Sequence, residues 1–119
     1  MKKHILTLVI IIFVIILAFT LTGCSNVKDN RQLADFIDVY IQKGFSVDAS
    51  QKPLFPLIGA IDGVIFYAGN SPVKIYQYKD EKSYNEALKQ YPIIENFDKN
   101  GLFLLESSKE DIKEIFKSI

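Results

Sequence analysis

The sequence has almost none of two residue types that often carry enzyme chemistry: it contains one cysteine, Cys24, and one histidine, His4. After position 24 neither residue recurs. This excludes Cys/His zinc sites, Ser-His-Asp triads and Cys-His nucleophiles from the rest of the chain. GxGxxG, P-loop and HExxH motifs are also missing from the sequence. We therefore expect no metal and no other cofactor, and any chemistry would have to come from carboxylates, lysines, tyrosines or serines.

The chain also lacks an excess of charge and any possibility of an internal disulfide. Its 14 basic and 14 acidic residues balance, so the general attraction to nucleic-acid phosphates is missing, and we expect no nucleic-acid partner. A single cysteine cannot form a bridge within the chain. With 119 residues, 49% of them hydrophobic and 13% aromatic, the chain can instead form one small domain around an apolar core.

The first 24 residues have the layout of a secretory signal. Lys2 and Lys3 precede residues 5–21, which carry no charge, and the segment ends in Leu21-Thr22-Gly23-Cys24. This ending resembles the lipobox of bacterial lipoproteins, in which an apolar residue and two small residues precede an invariant cysteine. The resemblance implies that a diacylglyceryl group is attached to Cys24. It also implies that a type II signal peptidase cuts between Gly23 and Cys24.

This resemblance sets the expected organisation of the chain. Residues 1–23 are predicted to be a lipoprotein signal peptide, residues 24–30 a lipidated cysteine with a short linker, and residues 31–119 a single domain. Without Lys2 and Lys3, the mature chain has a net charge of −2. The alternative is one uncleaved transmembrane helix. Both interpretations place the domain on the extracytoplasmic face of the cell membrane.

The mature part predicts an α+β fold, with a three-stranded mixed sheet packed with helices in the order α-β-β-α-β-α, after the N-terminal apolar signal helix. Two runs rich in β-branched and aromatic residues predict a hairpin, and the second strand, its helix and the third strand predict a βαβ unit. Asp80 can cap the middle helix. Residues 45–61, which contain Pro56, predict an ordered connection with room for a short helical turn. The predicted helices cover 30–43, 79–91 and 107–119, and the predicted strands 64–68, 73–78 and 102–105.

Two segments of the predicted hairpin region are similar to those of small lipoproteins from Gram-positive bacteria. They are Ala60-Ile61-Asp62-Gly63-Val64 and Pro72-Val73-Lys74-Ile75-Tyr76-Gln77-Tyr78. This resemblance implies no activity, because none is assigned to those lipoproteins.

Alternate residues of the hairpin strands share a face, and one of the two faces has the composition most suggestive of a binding function. Val64, Phe66, Ala68, Val73 and Ile75 predict pure core. The opposite face combines Ile65 with large polar-tipped rings and a lysine, a composition typical of interfaces. We predict a partner-binding surface there, formed by Tyr67, Lys74, Tyr76 and Tyr78. The alternative is that a helix covers this face, so that only the hydroxyls emerge at its rim.

Together these patterns predict a small non-catalytic binding or accessory module at the cell envelope. Its partners would be the membrane, through the diacylglyceryl group on Cys24, and another envelope protein or a cell-wall component. The acidic pairs Asp80-Glu81 and Glu110-Asp111 are placed to complement helix dipoles rather than to do acid–base work. Two alternatives remain: a carboxylate-dependent envelope enzyme and a single-lobe solute-binding lipoprotein.

Overall fold

The computed structural model describes residues 29–119, together with Thr7 and Val9. The signal peptide, its cleavage site at Gly23 and the lipidation site at Cys24 therefore lie outside the described residues, Thr7 and Val9 apart, and these assignments stay predictions. Within the described residues, none of the helices is both long and apolar enough to cross a membrane.

Three α-helices form near the positions that the apolar spacing predicts: α1 (Leu33–Gln42), α2 (Glu81–Gln90) and α3 (Glu110–Ser118). The apolar residues of α1 recur every three to four positions, so one stripe faces the core. The predicted cap of α2 is confirmed, because the Asp80 carboxylate accepts a hydrogen bond from the backbone N–H of Ser83 at 2.7 Å. Two short 3-10 helices, Phe55–Ile58 and Pro92–Asn96, each begin beside a proline.

The sheet has four antiparallel strands rather than the three mixed strands that the sequence predicts. The strands are β1 (Asp62–Ala68), β2 (Ser71–Gln77), β3 (Asp98–Asn100) and β4 (Phe103–Glu106), and their order across the sheet is β1-β2-β4-β3. Every neighbouring pair is antiparallel. The predicted hairpin is confirmed as β1 and β2, and the α+β class is confirmed with it.

The error in the strand count comes from residues 98–101, which have turn-forming side chains. Residues 98–100 form β3, and Gly101, with φ of +61°, reverses the chain into β4. Because of this extra reversal, β4 runs antiparallel to β2 and lies between β2 and β3. The connection through α2 thus joins β2 to a parallel strand that is not its neighbour, and the predicted adjacent βαβ pair is wrong.

Helices pack against both faces of the sheet. Helices α1 and α3 cover one face, and the Tyr40 hydroxyl joins them by donating to the backbone oxygen of Ile112 at 2.8 Å. Helix α2 and the two 3-10 helices pack against the other and bury part of it. The first core consists of Leu33, Phe36, Ile37, Tyr40, Val64, Phe66, Val73, Ile75, Phe103, Leu105, Ile112 and Phe116. The second core consists of Ala60, Tyr76, Tyr78, Ala87, Ile94 and Leu104.

The strand ends lie along two opposite sides of the sheet. We call these sides the Asp62 edge and the Glu106 edge, after one residue at each. At the Asp62 edge lie the start of β1, the end of β2, the end of β3 and the start of β4. At the Glu106 edge lie the other four strand ends. These edges are about 20 Å apart along the seven-residue strand β1 and about 10 Å apart along the four-residue strand β4.

The chain enters the domain at the Asp62 edge. The Asp29 carboxylate accepts hydrogen bonds from the Arg31 guanidinium at 2.8 and 2.9 Å and from the backbone N–H of Leu102 at 3.0 Å. Arg31 also donates to the side chain of Asn100 at 2.8 Å and to the backbone oxygen of Ile119 at 3.2 Å. This Asp29 clasp fixes the first described residues of the domain to the turn between β3 and β4.

Candidate functional site

The structure divides the four residues of the predicted binding face into two groups. Tyr76 and Tyr78 are buried, with exposed fractions of 6% and 1%, so the expectation of an open surface is wrong for these two rings. Tyr67 is 60% exposed, and the Lys74 side chain is 32% exposed. The alternative interpretation of a covered face therefore holds toward the Asp62 edge, while the face stays open toward the Glu106 edge.

Tyr78 serves the core rather than a surface. Its hydroxyl donates to the backbone oxygen of Ile58 at 2.7 Å, which holds the first 3-10 helix against the sheet. Its ring meets Tyr84 of α2 edge-on, with 5.5 Å between the ring centroids. Burial raises the pKa of Tyr78 to about 12, so the hydroxyl remains a hydrogen-bond donor at any physiological pH.

Tyr76 links the core to a charged pair at the surface. Its ring stacks on Phe97 with an interplanar angle of 8°, and its hydroxyl donates to the Glu106 carboxylate at 2.8 Å. The Lys74 ammonium lies 3.8 Å from the same carboxylate oxygen, because Lys74 and Glu106 are directly opposite in the register of β2 and β4. Burial, and then the hydrogen bond to Glu106, raise the pKa of Tyr76 above its ordinary value. This Tyr76–Glu106–Lys74 network is the polar centre of the site.

The network borders a groove of about 460 Å³ at the Glu106 edge. This volume lies within the range of small-ligand sites in proteins. The second 3-10 helix forms one wall with apolar and amide side chains, and the start of α3 with the loop before it forms another. The groove is lined by Pro72, Lys74, Ile93, Asn96, Phe97, Asp98, Leu105, Glu106, Ser107, Ser108 and Lys113.

Charges of both signs line this groove. Lys74 and Lys113 are the cations, and Glu106 and Asp98 are the carboxylates. Glu106 is engaged by Tyr76 and Lys74, yet 40% of its side chain is exposed and remains accessible to a ligand. In the part of the chain that the structure describes, no three side chains of the metal-ligating types come together. The groove is thus suited to hydrogen bonds and ion pairs with a ligand that itself carries both charges.

Of the residues in the predicted binding surface, Lys74 lines the groove and Tyr67 does not, and sequence reasoning missed the other charged side chains of the groove. Glu106 directly follows the apolar run 102–105 that predicts the third strand, so nothing in the run marks it. Asp98 belongs to the segment predicted to be a turn. These residues meet Lys74 only because β4 lies between β2 and β3, an order that hydrophobic patterns do not encode.

No protein family, no curated protein and no solved structure matches this chain. The resemblance to small Gram-positive lipoproteins accordingly rests on the two hairpin segments alone.

Proposed function

We propose that this protein is a membrane-anchored extracytoplasmic lipoprotein and that its domain is a small non-catalytic binding module. The groove beside the Tyr76–Glu106–Lys74 network, together with the exposed ring of Tyr67, would bind another envelope protein or a cell-wall component. The anchor part of the proposal is supported by the Leu21-Thr22-Gly23-Cys24 motif. The binding part is supported by the groove.

The proposed anchor and the groove would lie at opposite edges of the sheet, which suits a groove that binds a partner away from the membrane. Cys24 precedes Asp29 by five residues, a length that reaches at most about 18 Å when fully extended. Asp29 is clasped to the Asp62 edge of the sheet, whereas the groove opens at the Glu106 edge. A lipid on Cys24 would therefore hold the Asp62 edge near the membrane and turn the groove toward the cell wall. Confinement to the membrane raises the effective concentration of this surface for its neighbours.

The partner's chemistry follows from the side chains that line the groove, and this lining is the observation that carries the binding proposal. Lys74 and Lys113 can accept a carboxylate, while Glu106 and Asp98 can accept an ammonium group. Ile93, 62% exposed at the rim, adds an apolar contact. A peptide segment or a peptide-bearing wall component, which carries both charges on an apolar frame, fits this lining.

The experiment places a photo-crosslinking amino acid at position 93 of the full chain in intact cells. We expect a discrete adduct that disappears when Lys74→Ala is combined with Glu106→Gln. The matched control combines Lys99→Ala with Glu81→Gln. These two residues form a comparable surface ion pair, with 3.0 Å between the ammonium and the carboxylate, and neither lines the groove. An adduct that survives the groove variant as well as it survives the control would refute binding through this network.

A carboxylate-dependent envelope enzyme is the second candidate, because Asp98 and Glu106 line the same groove. Two carboxylates facing one substrate can act as a general acid and a general base. This candidate predicts that the full chain cleaves cell-wall fragments and that Asp98→Asn and Glu106→Gln each abolish the cleavage. The binding proposal predicts no cleavage by the wild-type chain over the same period.

A further inference from the structure

An exposed apolar cluster lies on the segment that leads into β1. Leu54, Leu57 and Ile61 have exposed fractions of 75%, 64% and 52%. Leu54 caps the first 3-10 helix and Leu57 lies within it. Because a 3-10 helix has three residues per turn, these two leucines lie one above the other on the same side. The same helix sends Phe55 and Ile58 toward the second core, so the exposed leucines are not needed to hold the helix in place.

This apolar cluster lies at the same edge of the sheet as the start of the domain. Asp29 accepts a hydrogen bond from the N–H of Leu102, and the oxygen of Leu102 accepts one from the N–H of Tyr78 at 2.8 Å. On the other side of β2, the N–H of Ile61 donates to the oxygen of Gln77, also at 2.8 Å. Leu102 and Ile61 therefore flank the end of β2, about 10 Å apart, which is two strand spacings.

We propose that the apolar cluster of Leu54, Leu57 and Ile61 contacts the lipid surface to which the domain is anchored. This inference rests on the proposed function, because it needs the lipid on Cys24. The five residues between Cys24 and Asp29 reach at most about 18 Å, so the anchor keeps the Asp62 edge within that distance of the bilayer. Apolar side chains held there exchange water for the interfacial region of the bilayer, which lowers their free energy.

Contact with the lipid would let the apolar cluster set the orientation of the domain relative to the membrane. Two acyl chains on Cys24 already suffice for stable attachment, so the cluster would fix orientation rather than supply affinity. With the Asp62 edge seated on lipid, the Lys74–Glu106 pair of the groove, three residues further along the strands, stands about 10 Å further from the surface. The consequence is a domain that presents the groove in one direction instead of tumbling on its tether.

The experiment uses the full, lipidated chain in vesicles of phosphatidylcholine and phosphatidylglycerol in a 7:3 ratio. Leu57→Cys carries an environment-sensitive fluorophore, and a lipid with a nitroxide near its headgroup serves as quencher. Labelling is specific in the lipidated chain, because Cys24 is the one native cysteine and the proposed lipid would occupy its thiol. The matched control is Ile93→Cys, which replaces an equally exposed isoleucine in the other 3-10 helix at the opposite edge.

We expect nitroxide lipid to quench the label at position 57 at least twofold more than the label at position 93, with a blue-shifted emission at position 57 alone. Equal quenching at both positions would overturn the proposal. So would a blue shift at position 57 without quenching, which would mean that a second copy or another protein covers the cluster. A chain that floats with the vesicles but keeps position 57 in water overturns this inference alone. A chain that carries no lipid on Cys24 and does not float overturns the proposed function, and this orientation with it.

Discussion

Replacing Asp29 by asparagine tests whether the clasp holds the start of the domain to the sheet. The Asp29 carboxylate accepts hydrogen bonds from the Arg31 side chain, from the backbone N–H of Arg31 and from the backbone N–H of Leu102. The hydrogen bond with Arg31 lowers the pKa of Asp29 to about 2, against an ordinary value of 3.8. The clasp therefore favours the ionised carboxylate in the folded state.

The difference in pKa sets both the size and the sign of the pH effect. A shift of this size corresponds to about 2 kcal/mol, and because the Arg31 side chain is 31% exposed and screened by water, we expect about 1–2 kcal/mol. A lowered folded-state pKa means that this stabilisation is complete above the unfolded value near 3.8. It is lost as the pH falls from there toward 2.

The assay is urea denaturation of the full chain in detergent micelles at pH 6 and at pH 3. We expect Asp29→Asn to lower the free energy of unfolding at pH 6 and to show a smaller loss at pH 3. The control is Asp38→Asn, which removes the same charge from an exposed position on α1. A loss at Asp29 that is equal at both pH values, or no larger than the loss at Asp38, would refute the role of the clasp.

Two further comparisons test packing. Tyr78→Ala should lower the free energy of unfolding by about 3–5 kcal/mol, because the ring is fully buried, whereas Tyr67→Ala should change it by less than about 0.5 kcal/mol. Thermal unfolding measures both effects. Equal losses would contradict the finding that Tyr78 is buried in the core while Tyr67 is exposed. Gly101 and Gly69 both have positive φ values, but a Cβ at Gly101 would collide with the side chain of Asp29, while a Cβ at Gly69 would meet nothing within 4 Å. Gly69→Ala should thus lower the free energy of unfolding only by the backbone strain of about 1–2 kcal/mol, and Gly101→Ala should lower it clearly more. A loss at Gly101 no greater than that at Gly69 would show that Asp29 can move aside without loss of stability.

Local patterns in the sequence predicted the parts of the fold that depend on local chemistry. Apolar spacing located the three helices, the hairpin followed from two β-rich runs around Gly69, and Asp80 caps α2 as expected. The core face of the hairpin was also predicted correctly for four of its five residues, since Val64, Phe66, Val73 and Ile75 are buried, whereas Ala68 is half-buried and packs against the same core.

Long-range order could not be predicted in the same way. The turn-forming side chains of residues 98–100 hide β3, whose strand geometry comes from pairing with β4 rather than from its own propensity. The alternation of side chains along β2 shows that Tyr76 and Tyr78 share a face, but it does not show what covers that face. The groove depends on both features, because Lys74 meets Glu106 through strand order and the covered half of the face ends beside them.

The most direct test of the account is the mass of the mature N-terminus combined with membrane fractionation, for the wild-type chain and for Cys24→Ser. The proposed anchor on Cys24 underlies both the proposed outward orientation of the groove and the proposed lipid contact of the apolar cluster. We expect the wild-type mature chain to begin at Cys24, to carry a diacylglyceryl group there and to sediment with membranes. We expect Cys24→Ser to accumulate as an uncleaved precursor or to be released. Normal processing and membrane retention of Cys24→Ser would contradict the account.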